Sequence, residues 1–252
     1  MLRISEYPAK LHRQISQLTR RLLAQTLSPR CALCQLPMTG SEAAYFHHSV
    51  CSACITQLPL CAGNCRRCAL PLAVGDADIE PVCGECQQQQ SPISEMIAMG
   101  WHQSHVRHLI HLFKYHGQLA AGRALSAAWL HHCHIDDMPQ ALLPVPSHRS
   151  KIRQRGFNPA AILASDLGAH LAIPVDLNCC VRLYAGDSQT GKDKTERWRQ
   201  VQAMYRVVGC PYDHVAIVDD VVTTQATVTT IATQLKQHGV SRVDVWCIGR
   251  TP

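Results

Sequence analysis

The segment from Val215 to Thr227 constrains the fold more than any other part of the chain. It runs from the apolar stretch Val215-Ala216-Ile217-Val218, through the acidic pair Asp219-Asp220, into a hydroxyl-rich turn and then a helical pattern. A short apolar run followed by a turn and a helix is typical of a buried strand in an α/β sheet. Ligands of open α/β sheets bind at the carboxyl ends of the strands. We therefore expect a ligand site in this turn.

The residue types of the turn suit a sugar phosphate. Main-chain N–H groups at a helix start bind phosphate, and the hydroxyls of Thr223, Thr224 and Thr227 can add hydrogen bonds. The adjacent carboxylates of Asp219 and Asp220 can bind ribose hydroxyls or a hydrated divalent cation. The alternative is an ordinary strand that ends in a capped turn, because Asp and Thr favour helix starts. Capping explains one acid, but it does not explain an adjacent pair together with three threonines.

Strand-like and helical patterns alternate along the C-terminal part of the chain. The apolar runs are 96–101, 141–145, 175–179, 215–219 and 243–248, and the helical patterns are 104–115, 119–132, 159–171 and 227–238. This alternation predicts a parallel sheet flanked by helices. A polar tract, Gln87 to Gln90, precedes Ser91-Pro92 and marks a domain boundary. We expect a helix over 1–28, a cysteine-rich module over 29–90 and an α/β domain over 94–252.

Eight of the fourteen cysteines form four Cys-x-x-Cys pairs near the N-terminus. The pairs are Cys31 with Cys34, Cys51 with Cys54, Cys65 with Cys68, and Cys83 with Cys86. Two such pairs complete a tetrahedron around Zn²⁺ with no open coordination position. The sixteen residues between Cys34 and Cys51, and the fourteen between Cys68 and Cys83, are close to zinc-ribbon spacing. The simplest assignment joins consecutive pairs and predicts two structural Zn²⁺ sites in a double zinc ribbon.

Two other uses of these cysteines stay open. A disulfide framework is one, but without a secretion signal the reducing cytosol favours thiolates. An iron–sulfur cluster is the other, although such clusters use more closely packed cysteine runs. The spacing favours zinc over both.

Two basic segments accompany the predicted strand ends. Pro144-Val145-Pro146 ends a strand and is followed by a turn with the cations Arg149, Lys151, Arg153 and Arg155. A later segment with little apolar content carries Lys192, Lys194 and Arg197 and is predicted to be a flap. The first cluster lies beside the carboxyl edge of the predicted sheet, where a pyrophosphate or a nucleic-acid strand would fit.

Composition favours anionic ligands and excludes a membrane span. The 24 Lys and Arg residues exceed the 18 Asp and Glu residues, which gives a formal net charge of +6. No stretch approaches ~18 consecutive apolar residues, and the first thirty residues lack the hydrophobic run of a signal peptide, so we expect a cytoplasmic protein. Residues 1–28 contain a basic amphipathic helix, for which docking on the protein itself is the first interpretation and a membrane or nucleic-acid contact is the alternative.

The segment Val218 to Thr227 resembles the phosphoribosyl pyrophosphate loop of type I phosphoribosyltransferases. That pattern is an apolar strand, two acids, two apolar residues and Thr-Thr-Gly-x-Thr, and the chain departs from it at Gln225, where the pattern has glycine. Glycine adopts a positive φ freely, whereas a glutamine there costs roughly 1–3 kcal/mol. With the paired cysteines, the Arg153-to-Asn158 turn and the Gln189-to-Arg199 flap in the same order, residues 31 to 250 resemble the ComF family of competence-associated proteins.

The resemblance implies a fold, a ligand and roles for individual residues. It implies a type I phosphoribosyltransferase-like α/β domain fused to a double zinc ribbon, with a role in DNA uptake or utilisation and no defined reaction. Asp219 and Asp220 would hold the ribose hydroxyls of phosphoribosyl pyrophosphate bound with Mg²⁺. The 5′-phosphate would lie on the turn formed by Thr223, Thr224, Gln225, Ala226 and Thr227. Pyrophosphate would be neutralised by Arg153, Arg155, Lys192, Lys194 and Arg197. A phosphoribosyltransferase activity is one hypothesis, and its acceptor is not named by the sequence.

Two further hypotheses come from other functional classes. In the first, the domain keeps the fold without activity, and the basic turns and ribbons hold single-stranded DNA through its backbone. In the second, the ribbons dock a partner protein, such as a component of the DNA-uptake machinery.

Overall fold

The computed structural model describes residues 30–38, 50–72, 81–89, 91–184 and 203–252. The predicted N-terminal helix over 1–28 and the predicted flap with Lys192, Lys194 and Arg197 lie outside these residues.

The strands form one parallel sheet and one antiparallel pair. In chain order they are β1 (Glu95–Trp101), β2 (Ala141–Pro144), β3 (Cys180–Arg182), β4 (Tyr205–Val207), β5 (His214–Val222) and β6 (Arg242–Arg250). The sheet has the order β1-β6-β5-β2, and all three of its pairings are parallel. β3 pairs with β4 in antiparallel orientation. The parallel sheet confirms the α/β fold class predicted from the alternating patterns.

The helices cover both faces of the parallel sheet. They are α1 (Ser52–Ile55), α2 (Gly84–Gln88), α3 (Ser104–His116), α4 (Leu119–His132), α5 (Arg149–Arg155), α6 (Pro159–Leu171) and α7 (Ala226–Gln237). On one face, Ile231 and Leu235 of α7 pack with Ile217 in the buried core. On the other face, Trp129 of α4 stacks on Trp246 of β6 with ring centroids 4.8 Å apart. None of the helices in the described ranges combines the length and apolar character that crossing a bilayer requires.

The region around residue 175 differs from the sequence prediction. The predicted strand over 175–179 is wrong, because Val175 makes only an isolated parallel bridge to Leu142. The chain then turns, since the carboxylate of Asp176 accepts hydrogen bonds from the backbone N–H groups of Asn178 (2.7 Å) and Cys179 (3.1 Å). The strand that follows is β3, and the sequence pattern did not indicate its partner β4.

The cysteine-rich module covers an edge of the sheet. Residue Leu60 forms an antiparallel bridge with Gly100 of the edge strand β1. The Cys61 N–H donates to the Met99 carbonyl (3.1 Å), and the Trp101 N–H donates to the Pro59 carbonyl (2.8 Å). An uncovered edge strand presents unpaired N–H and C=O groups to other chains. The module therefore completes the sheet at β1.

Candidate functional site

The eight paired cysteines form two separate clusters. Cys31, Cys34, Cys51 and Cys54 make the first cluster, and Cys65, Cys68, Cys83 and Cys86 make the second, with the ligand atoms of each cluster within 4.8 Å of one another. Consecutive pairs therefore join, as the spacing predicted. Each cluster can hold a structural zinc ion.

The two clusters are built in the same way. In each, the first cysteine pair lies in a hairpin turn, closed by the bridge Arg30–Pro37 or Asn64–Pro71. The second pair begins at the residue that precedes a short helix, Cys51 before α1 or Cys83 before α2. The chain uses one cysteine arrangement twice.

The distances between sulfurs fit a tetrahedral metal. Cys34 Sγ lies 3.8 Å from Cys51 Sγ, and Cys68 Sγ lies 3.7 Å from Cys83 Sγ. Four thiolates about 2.3 Å from Zn²⁺ are separated by about 3.8 Å along each edge of the tetrahedron. A disulfide joins its sulfurs at about 2.05 Å. The donor set and its spacing thus fit zinc.

Backbone hydrogen bonds favour the thiolate form in each cluster. Burial raises the pKa of the Cys65 thiol, but hydrogen bonds from the backbone of Cys83, Cys68 and Arg67 bring it down to about 7. The Cys83 N–H donates to Cys65 Sγ at 3.3 Å. The pKa of Cys31 is lowered to about 7 by corresponding backbone hydrogen bonds, again against the effect of burial. Burial raises the pKa of Cys51, Cys54, Cys68 and Cys86, so the backbone favours the thiolate that zinc binds at only one cysteine of each cluster.

The phosphate loop, residues 222–228, joins the end of β5 to the start of α7. By helix geometry the N–H groups of Ala226, Thr227 and Val228 have no carbonyl partner within α7. The side chain of the N-cap residue Gln225 makes no capping hydrogen bond. A hollow of about 40 Å³ is lined by Asp219 and residues 221–228. Its size, against roughly 30 Å³ for one water in the liquid, suits one small anionic group.

The two aspartates differ in their surroundings. Asp220 is buried, at 6% exposure, and its Oδ2 lies 2.7 Å from Nζ of Lys114 on α3. Asp219 lines the hollow of the phosphate loop, and its Oδ1 accepts a hydrogen bond from the Asp220 N–H at 2.9 Å. Successive residues of a strand project to opposite faces of the sheet. The carboxylate that is available to a ligand in this hollow is therefore Asp219.

The carboxyl of Asp219 holds its proton more tightly than an ordinary acid. Burial and the negative charge of Asp220 raise its pKa to about 8, although Lys114 and the Asp220 N–H act in the opposite direction. The Asp219 carboxyl therefore keeps its proton at neutral pH more readily than an ordinary aspartate does.

The basic turn after β2 forms a short helix near the same edge. Lys151 and Arg155 of α5 line a cavity of about 460 Å³ together with Lys114. Burial lowers the pKa of Lys151, as do the charges of Arg182, Arg155 and Lys114, whereas Asp220 raises it. The Arg155 guanidinium lies over the Tyr115 ring, 5.4 Å from its centroid. α5 thus brings its cations to the region of Asp220.

The structure separates the predicted cations into different groups. Arg153 is exposed and is not among the residues that line the cavity with Arg155. Lys114, which the sequence analysis did not identify, lines that cavity and pairs with Asp220. Its sequence signal is weak, because a lysine in the last turn of a helix is also expected from the helix dipole.

Gln225 adopts the backbone conformation that the family pattern reserves for glycine. Its φ of 60° and ψ of −3° lie in the left-handed region. This conformation costs a residue with a Cβ about 1–2 kcal/mol. Gln225 is partly exposed and lines the hollow. The turn therefore forms without glycine, with strain concentrated at its centre.

Comparison with known proteins gives relatives but no family model. No family model matches the chain. The chain is 28% identical over 234 residues to the DNA utilization protein YhgH of Salmonella typhimurium strain LT2. This alignment covers 90% of the chain and 99% of that protein. The Escherichia coli K12 protein of the same name is 28% identical over 233 residues, with the same coverage. Competence protein F of Haemophilus influenzae strain Rd is 29% identical over 178 residues, or 67% of the chain and 78% of that protein.

The chain is a homologue of these proteins. With the two four-cysteine clusters, this relationship confirms the resemblance to the ComF family seen in the sequence motifs. The match to YhgH extends over both the cysteine-rich module and the α/β domain, since it covers 90% of the chain.

The clusters predict a zinc content of two per chain. Replacing one ligand, as in Cys34→Ser or Cys86→Ser, should reduce the content to one, because a three-thiolate site binds the metal far more weakly. The measurement is elemental analysis of purified protein by mass spectrometry. Cys210→Ser is the matched control and should keep two, since Cys210 is half-buried outside both clusters. Iron in place of zinc, or no metal, would contradict the assignment.

The left-handed conformation of Gln225 makes Gln225→Gly a stabilising change. The substitution relieves the backbone strain, but part of this gain is offset by the greater backbone entropy of glycine in the unfolded chain. The free energy of unfolding should therefore rise by about 0.5–1 kcal/mol. Urea denaturation measures this. Ala172, at φ 56°, is the control because Ala172→Gly removes similar strain far from the loop. Both changes should stabilise, but only Gln225→Gly should alter binding of inorganic phosphate. A loss of stability in Gln225→Gly would show that the side chain supports the turn.

Proposed function

We propose that the chain binds phosphoribosyl pyrophosphate with Mg²⁺ at the phosphate loop. The observation that carries the proposal is the loop itself, which places the uncapped start of α7 and the Asp219 carboxyl around one hollow. A helix start with free N–H groups attracts phosphate, and an adjacent carboxylate accepts hydrogen bonds from hydroxyls. A sugar phosphate carries both a phosphate and hydroxyl groups in one molecule.

The surrounding residues have distinct parts in this proposal. The 5′-phosphate binds the turn from Thr223 to Thr227, and Asp219 accepts hydrogen bonds from the ribose hydroxyls. Asp220 acts through Lys114, which it holds at the mouth of the cavity lined by Lys151 and Arg155. These cations neutralise the pyrophosphate. Mg²⁺, when bound with the ligand, would supply further neutralisation of its negative charge.

Transfer of the phosphoribosyl group is the reaction that this arrangement would support. The bond between ribose and pyrophosphate breaks with its electron pair going to pyrophosphate, and the acceptor forms the new bond to the ribosyl carbon. The cations stabilise the departing charge, so no protein nucleophile is required. Arg153, together with Lys192, Lys194 and Arg197 outside the described residues, would add positive charge at the pyrophosphate.

We further propose that this binding serves the uptake or utilisation of DNA. The support is the names of the homologues, which are a DNA utilization protein and a competence protein. Other proteins of a DNA-uptake machinery are the expected partners, and the cysteine-rich module is a candidate surface for them.

The proposed ligand predicts that Asp219→Asn weakens binding of phosphoribosyl pyrophosphate. Loss of a charged acceptor for the ribose hydroxyls should raise the Kd by about 10- to 100-fold. Isothermal titration in the presence of Mg²⁺ measures this. Asp213→Asn is the matched control, because Asp213 is exposed at the opposite end of β5 and should leave the Kd unchanged. Absence of binding by the wild type, or equal binding by both variants, would refute the site.

The raised pKa of Asp219 gives this prediction a pH signature. Asp219 is protonated below about pH 8 and must release its proton before it can accept two hydrogen bonds. Affinity should therefore increase by about tenfold between pH 7 and pH 9, with the midpoint near pH 8, and then level off. The Asp219→Asn variant should show a flat profile over the same range. A wild-type affinity that falls with rising pH would contradict the assigned role.

Single-stranded DNA is the second candidate ligand, and α5 is the observation that favours it. The helix exposes Lys151 and Arg153, and Arg155 lies over Tyr115, so cations and an aromatic ring share one surface. Single-strand binding sites combine positive charge with aromatic side chains on which bases stack. The fold would then act as a binding module without catalysis.

The DNA hypothesis predicts a steep salt dependence that Arg153 partly supplies. Affinity for a labelled oligothymidylate should fall as salt increases, and Arg153→Ala should reduce the slope of log K against log salt by about 0.7 for one phosphate contact. Fluorescence anisotropy over a salt series measures the slope. Arg123→Ala is the control, because Arg123 is an exposed cation on α4. Equal slopes for the two variants would exclude Arg153 from the DNA surface.

A further inference from the structure

Arg250 is a buried cation that joins three parts of the molecule. It lies at the end of β6 and is 2% exposed. Its Nε donates to the Cys68 carbonyl at 2.8 Å, and its Nη1 donates to the carbonyls of Val222 (3.1 Å), Thr223 and Thr251 (2.6 Å). All four acceptors belong to the main chain. The guanidinium therefore fixes backbone positions.

The backbone segments held by Arg250 belong to the second cysteine cluster and to the phosphate loop. Cys68 is a member of that cluster, and the acceptor is its own main-chain carbonyl. Val222 ends β5, and Thr223 is the first residue beyond the strand. A planar guanidinium presents its donors in a fixed geometry, so a shift of one acceptor disturbs the others. The position of the cluster is thereby tied to the start of the loop.

Charge gives a second link between Arg250 and the cluster. One Zn²⁺ with four thiolates carries a net charge of about −2. The Arg250 guanidinium lies beside this cluster, since its Nε donates to the Cys68 carbonyl at 2.8 Å. A buried cation is costly unless an opposite charge lies near it. A metal-bound second cluster supplies that charge and favours the position that Arg250 adopts.

The first cluster has a different setting. Cys31 packs in a core cluster with Ala124 and Ala127 of α4. Among the hydrogen bonds of Arg250 in the described residues, none goes to the first cluster. The molecule thus contains one metal site joined to the loop through Arg250 and a similar site that is not.

We infer that Arg250 is a positioning residue through which metal binding at the second cluster holds the phosphate loop in its anion-binding conformation. With metal bound, Arg250 stays between Cys68 and the carbonyls of Val222 and Thr223. Without metal, the cluster loosens, Arg250 loses its counter-charge and its Cys68 acceptor, and the loop opens. The inference concerns the loop with or without ligand, so it stands apart from the proposed binding of phosphoribosyl pyrophosphate.

Hydrogen exchange in the loop tests the inference on the full chain without ligand. Loss of the second site in Cys86→Ser should speed amide exchange at Thr229 and Thr251 by about tenfold or more, because their N–H groups donate to the loop carbonyls of Gln225 (2.9 Å) and Val222 (3.0 Å) and exchange reports local opening. Loss of the first site in Cys34→Ser should leave these amides within about twofold of the wild type. Mass spectrometry of peptides that contain these residues measures both. Equal acceleration by the two variants, or none by Cys86→Ser, would overturn the inference.

Variants of Arg250 separate positioning from general stability. In Arg250→Gln the amides that report on the loop should already exchange fast. Adding Cys86→Ser should produce no further acceleration, because both changes break the same connection and their effects are not additive. Arg250→Lys keeps the charge without the planar fork and should fall between Arg250→Gln and the wild type. Arg242→Gln is the control at the other end of β6, where Arg242 pairs with Glu95 and Asp137, and its loop should exchange normally. Additive effects of Arg250→Gln and Cys86→Ser would overturn the linkage.

A second route covers the case in which Cys86→Ser does not fold. The Cys34→Ser protein, which retains the second site alone, is treated with a chelator while released zinc and loop exchange are followed together. Faster exchange at Thr229 and Thr251 in step with zinc release supports the inference. Unchanged exchange at these amides after release overturns it. Phosphoribosyl pyrophosphate is absent throughout, so failure of that ligand to bind would leave the result intact.

Discussion

The parallel pairing of β5 with β6 is the constraint on which the rest of the structure depends. Its register runs from His214 opposite Arg242 to Val222 opposite Arg250, and β2 pairs on the other side of β5. Parallel strands bring their carboxyl ends to one edge, so the phosphate loop, the basic helix α5 and the buried Arg250 meet there. A shift of one residue would exchange the faces of all side chains on the strand. The pairing therefore fixes both the core and the site.

Charge at this edge is balanced by pairs formed between distant segments. Lys114 of α3 neutralises Asp220 of β5 at 2.7 Å, which leaves Asp219 with the raised pKa and a place beside the loop. Two carboxylates side by side cannot both stay charged in a buried position without such a partner. Lys114 thus gives adjacent, chemically identical residues different properties. Asp220 holds the Lys114 cation, and Asp219 lines the hollow of the loop.

The parts of the molecule that the sequence predicted are those encoded within a few residues. The order of strand, acids, turn and helix around Asp219 is local, as is the spacing within each cysteine pair. Lys114 and Arg250 escaped prediction because their roles arise from contacts across the fold, and a lone lysine or arginine carries no such signal. Asn158 shows the same limit: Asn is a favoured N-cap residue and Asn158 directly precedes α6, but its side chain donates to the Val145 carbonyl at 3.0 Å and makes no capping hydrogen bond. Asp176 likewise ends a run that its apolar neighbours suggested would continue as a strand.

The cysteine-rich module is an integral part of the α/β domain in this architecture. Its residues 59–61 cover the edge of β1, and Arg66 forms ion pairs with Glu95 and Asp136 of the α/β domain. These contacts lie along one side of the sheet, whereas the contact between Cys68 and Arg250 reaches the carboxyl edge where the loop begins. A module that served only to cover the edge would need the first set alone. The second contact connects the cysteine cluster to the start of the phosphate loop through one side chain, and the inferred role of metal binding depends on this contact.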